Sequence, residues 1–346
     1  MRAFLNPRAV AVVGVSRRGD GVGAALLTNL QRAGFPGRLY PIHPHATAIA
    51  GLPAFPRVSA VGAPVDLALI AVPGAAVEEV VADCATAGVH GVVVISSGFA
   101  EASAAGRQAE QRLRALVRAS GMRLVGPNCM GLLNTDPQVA LNATFTTPVL
   151  PPAGTIGMLS QSGALGLAML EYIQTLHVGL STFISVGNRA DVSSNDILAY
   201  WADDPHTSVI VLYLESFGNP RHFARLAPDV ARRKPIIAVK SGRSVSGSRA
   251  PASHSAALAT SDTAVEALFE QAGVIRANTL QELFDVAVLL STQPMPPGPR
   301  VGVVTNAGGP GTLLADACEA RGLTLPQLAA TTRERLRARV PSATHA

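Results

Sequence analysis

The chain has 346 residues, of which 48% are hydrophobic and 15% are charged, and its formal net charge is +5. This composition can fill sizeable cores and excludes a disordered chain, and the length predicts about two domains. No apolar stretch reaches the roughly 18 residues of a membrane span, and the N-terminus lacks the apolar region of a signal peptide, so we predict a cytoplasmic protein with no membrane partner.

The net positive charge does not indicate nucleic acid as a partner. Only Lys234 and Lys240 are lysines among the 28 basic residues, and aromatic residues make up 4% of the chain. Nucleic-acid surfaces combine clustered basic residues with aromatic stacking platforms, and this sequence offers neither. The three cysteines are widely spaced without a CxxC pair, which predicts neither a disulfide framework nor a metal site on this chain.

Short apolar runs alternate with helical stretches over the first 140 residues. This alternation predicts a doubly wound, mostly parallel α/β domain over residues 1–140. Its predicted strands are 9–13, 38–42, 67–72, 91–95 and 123–125, and its predicted helices are 23–33, 75–87 and 104–120.

A second α/β series follows a loop that we predict at residues 142–152. We assign this series to a domain spanning 150–292, and the long Ser, Gly and Ala-rich loop at 241–262 inside it indicates function or disorder. The predicted strands are 155–159, 181–186, 208–215 and 235–240, and the predicted helices are 164–176, 195–202, 220–232, 263–272 and 280–290.

A stiff Pro-rich segment at 293–299 precedes a third series. A predicted strand at 301–305 leads through Gly308, Gly309 and Gly311 into a helix that ends near residue 321. We therefore predict the start of a third α/β unit over residues 300–346, too short to complete a domain of this type.

The first glycine loop is similar to the phosphate-binding turn of a dinucleotide fold. Gly14 follows the first strand and Gly23 lies at the start of the first helix, but Arg17 to Asp20 lengthen the turn beyond GxGxxG. No Asp or Glu ends the second strand, which disfavours a nicotinamide cofactor and an NAD-dependent dehydrogenase. Glycines that merely close a strand-to-helix turn remain the alternative.

Unusual loops follow three further strands of the first domain. They contain Val72-Pro73, Ser97-Gly98 and Asn128-Cys129, and each comes at the carboxyl end of a predicted parallel strand. Open α/β sheets bind ligands at that edge, so these loops favour a ligand groove. Loops that simply need Gly or Pro geometry are the alternative.

Phosphate chemistry is indicated in the second domain. Ser160, Ser162 and Gly163 precede a predicted helix, whose N-terminus favours an anion, although helix caps have the same residues. His254 lies in the long loop, where a phosphoryl-carrying histidine has room to move, and Glu215 at a strand end can accept a hydrogen bond from its other ring nitrogen. A surface histidine and a solvated glutamate are the alternatives.

Five runs in chain order resemble the NDP-forming acyl-CoA synthetases, a superfamily that includes ADP-forming acetate–CoA ligase and the α chain of succinyl-CoA synthetase. The resemblance covers nearly the whole chain, and the combination is more specific than any single motif. The runs are VVGVSR at 12–17, GPNCMG at 126–131, LSQSGAL at 159–165, SVGNRAD at 185–191 and SHS at 253–255.

The resemblance implies a Rossmann-like CoA-binding domain, then a flavodoxin-like ligase domain and the start of a further ligase domain. It implies that acid, ATP and CoA give acyl-CoA, ADP and phosphate through an acyl phosphate and a phosphohistidine. It also implies that CoA and a small carboxylic acid are the substrates and that the protein assembles as an oligomer. No ATP-grasp domain is recognised, so ATP, ADP and Mg would bind an ATP-grasp β-type partner chain or domain.

The resemblance also assigns roles to individual residues. His254 matches the phosphorylated histidine, Glu215 the acidic residue that orients it, and Ser160, Ser162 and Gly163 the helix terminus that binds phosphate. The positions that match CoA contacts or the loop near the thiol are Gly14, Ser16, Arg17, Pro41, Val72, Pro73, Ser97, Gly98, Asn128 and Cys129.

The sequence departs from the family pattern around the histidine. The family commonly has Ser-His-Thr-Gly-x-Leu-Ala-Gly, whereas this chain has Ser255 for Thr and Ala256 and Thr260 for the two glycines. The first glycine loop has Arg17 and Arg18 in place of a common lysine. A CoA-binding regulatory module that has lost phosphoryl transfer is therefore the alternative to an active ligase chain.

Overall fold

The computed structural model describes residues 1–146, 149–242 and 261–339. The chain divides into two compact units, Met1–Thr292 and Gln293–Ala346. Over the described ranges, no helix is both long enough and apolar enough to cross a membrane.

Five parallel strands form the first sheet of the larger unit. Its three central strands have no exposed residue, which explains why their sequences are runs of small and branched apolar residues. The elements are α1 (Arg2–Leu5), β1 (Ala9–Val13), α2 (Gly21–Arg32), β2 (Arg38–Ile42), β3 (Ala48–Ile49), β4 (Leu52–Pro53), β5 (Leu67–Ile70), α3 (Val77–Thr86), β6 (Gly91–Val94), α4 (Ala104–Ala119) and β7 (Arg123–Val125). The sheet order β2-β1-β5-β6-β7 confirms the predicted Rossmann-like arrangement, and β3 and β4 form a separate antiparallel pair.

A seven-stranded sheet forms the other half of the same unit. Its elements are β8 (Gly131–Asn134), β9 (Leu141–Thr144), β10 (Ala153–Ser160), α5 (Gly163–Thr175), β11 (Leu180–Ser185), α6 (Ser194–Asp203), β12 (Val209–Leu214), α7 (Pro220–Ala231), β13 (Ile236–Lys240), α8 (Asp262–Ala272), β14 (Ile275–Arg276) and α9 (Leu280–Thr292). The order is β14-β13-β12-β10-β11-β8-β9, parallel from β14 to β11, as the predicted flavodoxin-like fold requires.

The hairpin β8–β9 corrects the predicted loop at 142–152. Its strands pair antiparallel with each other, and β8 pairs antiparallel with β11, so residues 141–144 belong to the second sheet. The polar residues that suggested a loop are buried: Asn142 Oδ1 accepts hydrogen bonds from the backbone N and Oγ1 of Thr144, and Asn29 Nδ2 of α2 donates to the carbonyl oxygen of Thr144 over 2.8 Å. Internal hydrogen bonds therefore compensate for the burial of a polar strand.

One hydrophobic core runs through both sheets. Its buried members include Leu30 and Val125 from the first half and Leu132, Ile184 and Trp201 from the second. Backbone bonds join the halves as well, because Val192 N donates to the carbonyl oxygen of Leu124 over 2.9 Å. The two sheets thus form one packed body in the larger unit.

Arg123 at the start of β7 forms ion pairs across this junction. Its Nε lies 2.7 Å from Asp191 Oδ2, and its Nη2 lies 2.9 Å from Asp196 Oδ1. Burial raises the pKa of Asp196, but hydrogen bonds from Ser193 and Arg123 outweigh burial and hold that pKa below its ordinary value. Asp196 therefore stabilises the fold fully above about pH 4, and this stabilisation is lost as the pH falls through the depressed pKa.

We expect the stability of the Asp196→Asn variant to depend less on pH in the acid range than that of the wild type. Between about pH 5 and about pH 3 its free energy of unfolding falls less than that of the wild type, because the asparagine does not titrate. Urea denaturation at the two pH values measures the difference. Asp203→Asn, whose side chain is 81% exposed, is the control and keeps the wild-type dependence. Equal slopes for wild type and Asp196→Asn would contradict the expectation.

The smaller unit contains two described helices, α10 (Gly308–Glu319) and α11 (Ala330–Arg339). The predicted strand at 301–305 is wrong, because pairing among the described residues of this unit, 293–339, is limited to a bridge between Arg300 and Thr324. A buried parallel strand requires neighbours along its length, and Val304 is instead fully exposed. The helix predicted after Gly308 is present.

Candidate active site

A cleft of about 1790 Å³ opens at the carboxyl ends of strands from both sheets. It is lined by the segments that follow β5, β6 and β7 in the first sheet and β10, β11, β12 and β13 in the second. Ligands of open α/β sheets bind at this edge. The predicted site residues that line the cleft are Val72, Pro73, Ser97, Asn128, Cys129, Ser162, Gly163 and Glu215.

The remaining predicted CoA contacts lie outside the cleft lining. Gly14 follows β1 with φ +92°, and a Cβ added there would overlap the carbonyl oxygen of Ala71. The Ser16 hydroxyl accepts a hydrogen bond from Arg18 N over 3.1 Å, and Arg17 lies between these two residues in the chain. Pro41 lies within β2, and Gly98 N donates to Glu101 Oε1 over 2.6 Å. His254 lies outside the described residues.

A serine turn leads from β10 into α5. Ser162 caps the helix, since its Oγ accepts from Leu165 N over 3.4 Å. Ser160 is fully buried, and its Oγ donates to the carbonyl oxygen of Ser162 over 2.6 Å. Ser160 thus shapes the turn, while Ser162 and Gly163 line the cleft at the N-terminus of α5, where backbone N–H groups favour an anion.

Gln161 fixes the backbone of Glu215 and was missed in the sequence. It is buried, and its Oε1 accepts from Glu215 N over 2.7 Å and from Ser216 N over 2.9 Å. Its Nε2 donates to Ser194 Oγ over 2.9 Å and to the carbonyl oxygen of Ser216 over 2.8 Å. The sequence does contain a signal for Gln161, which is a polar residue directly after a buried strand. A buried side-chain amide at such a place usually forms hydrogen bonds with backbone groups that have no other partner.

We expect Gln161→Leu to lower the free energy of unfolding by about 2 kcal/mol or more, because it leaves buried backbone donors without a partner. It also releases the backbone of Glu215. Chemical denaturation measures the loss, and Gln108→Leu, on the exposed side of α4, is the control that stays within about 0.5 kcal/mol of wild type. A Gln161→Leu protein as stable as this control would contradict the expectation.

Asn188 connects the two walls of the cleft. Its Nδ2 donates to Glu110 Oε2 over 2.8 Å and also bonds Glu101 Oε2, while Asn128 Nδ2 donates to Asn188 Oδ1 over 3.3 Å. Burial raises the pKa of Glu110. Burial also raises that of Glu101, but hydrogen bonds from Asn188 and the amides of Gly98 and Phe99 hold it below its ordinary value. Spacing alone could not indicate this network, because its members lie far apart in the chain.

Cys129 lines the cleft as a protonated thiol. Its Sγ donates to the carbonyl oxygen of Val94 over 3.3 Å, and burial raises the pKa of the thiol to about 12. A thiol with this pKa is not a nucleophile near neutral pH. The neighbouring Asn128 has φ +57° and follows the cis peptide bond between Gly126 and Pro127. This loop therefore shapes the cleft wall without supplying a covalent catalyst.

Two family models match the chain. A CoA binding domain matches residues 8–135, and a succinyl-CoA ligase like flavodoxin domain matches residues 153–290. The first match covers the Rossmann-like sheet, and the second covers β10 to β14 of the other sheet together with most of α9.

Curated relatives match nearly the whole chain. The α subunit of acetate–CoA ligase [ADP-forming] II from Pyrococcus furiosus is 41% identical over 98% of this chain and 73% of its own length. Acetate–CoA ligase [ADP-forming] I from Archaeoglobus fulgidus is 41% identical over 99% of this chain, which spans 49% of that relative.

A solved structure has the same fold. The dinucleotide forming acetyl-coenzyme A synthetase 1 of Ca. Korarchaeum cryptofilum, in complex with phosphate and ADP, superposes with a TM-score of 0.93 and is 39% identical. The match covers 99% of this chain and 73% of that one.

Proposed function

This chain belongs to the family of ADP-forming acetate–CoA ligases, and from that membership we propose that it performs the α-type part of an ADP-forming acid–CoA ligase reaction. In the proposed reaction, a carboxylic acid, ATP and CoA give acyl-CoA, ADP and phosphate. The observation that carries the proposal is the cleft, which is lined both by three of the loops predicted for CoA, those after β5, β6 and β7, and by the N-terminus of α5, where a phosphate is favoured.

The proposed chemistry on this chain has two reversible steps. Starting from acyl-CoA, a phosphate oxygen attacks the thioester carbonyl carbon, the carbon–sulfur bond breaks, and CoA leaves as its thiol. The phosphoryl group of the acyl phosphate then passes to a neutral ring nitrogen of His254 and the carboxylate is released. Glu215 would accept a hydrogen bond from the other ring nitrogen and fix the tautomer.

The first sheet would hold CoA, with its thiol near Asn128 and Cys129. The remaining proposed contacts are Gly14, Ser16, Arg17, Pro41, Val72, Pro73, Ser97 and Gly98. Ser162 and Gly163, with Ser160 behind them, would hold the phosphoryl group at the positive end of the α5 dipole.

An ATP-grasp β-type chain or domain is the proposed partner. ATP, ADP and Mg would bind there, and the phosphoryl group would travel between the partner and the cleft on His254. The related ligases include an acetate–CoA ligase and a 4-hydroxybutyrate–CoA ligase, which supports a small carboxylic acid as the substrate. Cytoplasmic localisation and an oligomeric assembly stay predictions.

The test combines the chain with an ATP-grasp partner, ATP, Mg, acetate and CoA, and measures acyl-CoA formation. Calorimetric titration with CoA measures binding separately from chemistry. Acyl-CoA formation that requires both chains supports the proposal. CoA binding without acyl-CoA formation from acetate or 4-hydroxybutyrate would favour the regulatory module, which the altered residues Ser255, Ala256 and Thr260 make the second candidate.

A further inference from the structure

Arg189 lies in the cleft on a backbone conformation that arginine rarely adopts. It follows β11 with φ +61°, in the left-handed region that favours Gly and Asn. The loop is tightly held: Arg189 N donates to the carbonyl oxygen of Val186 over 3.1 Å, and Ala190 N donates to that of Gly126 over 3.0 Å. Such strain persists where surrounding structure imposes it, and it is concentrated at ligand sites.

The guanidinium is anchored on one side only. Nη1 donates to the carbonyl oxygen of Ser216 over 3.1 Å and to Ser216 Oγ over 2.8 Å. The Nε atom is buried and has no hydrogen-bond partner in the part of the chain that the structure describes. A buried donor without a partner is costly and requires an explanation.

No carboxylate in the described part of the chain lies at contact distance from this cation. Among residues 1–146, 149–242 and 261–339, Arg189 makes no ion pair within 4 Å. Burial lowers the pKa of Arg189, although the charges of Glu215 and Glu110 act in the opposite direction. The cleft therefore contains a partly desolvated cation whose planar donor set is only partly used.

We propose that Arg189 binds the phosphate oxyanion that is transferred in the cleft, together with the N-terminus of α5. Guanidinium groups bind phosphate oxygens through paired, charge-assisted hydrogen bonds, and Nε is a donor of that kind. A phosphate dianion bound in the cleft shares that space with Glu215, and Arg189 offsets the repulsion between these two negative groups. The identity of the anion rests on the proposed function, whereas binding itself does not.

The variant that isolates the side chain is Arg189→Gly. Glycine adopts φ +61° without strain, so the backbone of the loop is preserved while the guanidinium is removed. Arg112→Ala is the matched control, because Arg112 pairs with Glu78 on the surface, where both side chains are about half exposed. Far-ultraviolet circular dichroism establishes that each variant is folded, and Arg189→Gln replaces the glycine variant should that protein unfold.

Calorimetric titration with inorganic phosphate, in the absence of nucleotide, is the direct measurement. We expect phosphate affinity to fall about tenfold or more in Arg189→Gly, to recover partly when guanidinium ion is added, and to stay at the wild-type value in Arg112→Ala. Unchanged affinity in a folded Arg189 variant, or a wild type that binds no phosphate, would overturn the inference.

Kinetics separate a binding role from a structural one. In the direction from acyl-CoA and phosphate, with ADP, Mg and the ATP-grasp partner present to accept the phosphoryl group, Arg189→Gly raises the KM for phosphate and leaves the KM for acyl-CoA unchanged. An equal rise in both KM values would point to a distorted cleft and would contradict the inference. Phosphate binding through Arg189 in a chain that forms no acyl-CoA would leave this inference standing while the proposed function fails.

Discussion

The His254→Ala variant is expected to form no phosphoenzyme and to lose acyl-CoA formation by about 1000-fold or more, since removing the group that forms a covalent intermediate leaves no route for the phosphoryl group. The measurement uses radiolabelled ATP with the ATP-grasp partner, or labelled phosphate and acyl-CoA with this chain alone. The wild-type label should be acid-labile and base-stable, as a phosphohistidine is.

The control for this prediction is His222→Ala. His222 is an exposed residue of α7, so its replacement keeps wild-type labelling and activity. Glu215→Gln is the informative companion, because it weakens the hydrogen bond that would orient the histidine and should slow labelling without abolishing it. Equal labelling of His254→Ala and wild type would exclude His254 as the phosphoryl carrier.

The second large effect is expected from Gly23→Ala. Gly23 lies in the first turn of α2, and a Cβ added there would overlap the carbonyl oxygen of Gly14 at the end of β1. Neither backbone segment can yield without moving the loop between them, so we expect a loss of about 3 kcal/mol in the free energy of unfolding. Displacement of the loop would also weaken CoA binding, because the loop is among the proposed CoA contacts.

Calorimetric titration with CoA and thermal unfolding measure the two effects. Gly34→Asn is the control at the other end of the same helix: Gly34 has φ +75°, nothing lies near it, and asparagine tolerates that conformation. Its CoA affinity should equal that of the wild type. Unchanged CoA binding in Gly23→Ala would show that the first glycine loop makes no contact with CoA.

The parallel strands could be predicted because burial on both faces leaves an unambiguous pattern. β1, whose five residues are all buried, has the predicted bounds, and the loops after β5 and β6 line the cleft as expected for the carboxyl edge of a sheet. Positions at this edge follow from topology alone, which is why Val72, Ser97 and Asn128 could be assigned to one groove without knowledge of any contact between them.

The interactions that connect the two sheets could not be predicted in the same way. Asn142 and Thr144 are polar, and their burial depends on Asn29, which lies more than a hundred residues earlier. The importance of Asn188 likewise comes from Glu101 and Glu110 on another element. Local periodicity reports which face of an element is buried, but it cannot report which distant group satisfies a polar atom there.

The core that passes through both sheets has a consequence for how ligands enter. Hinge bending requires an interface between the two sheets that can open. Here Val125, Leu132 and Ile184 belong to one continuous hydrophobic core, and opening would expose these buried side chains to solvent. We consequently do not expect the two walls of the cleft to separate by hinge bending. We therefore expect ligands of different size to be accommodated by the side chains and loops that line the cleft.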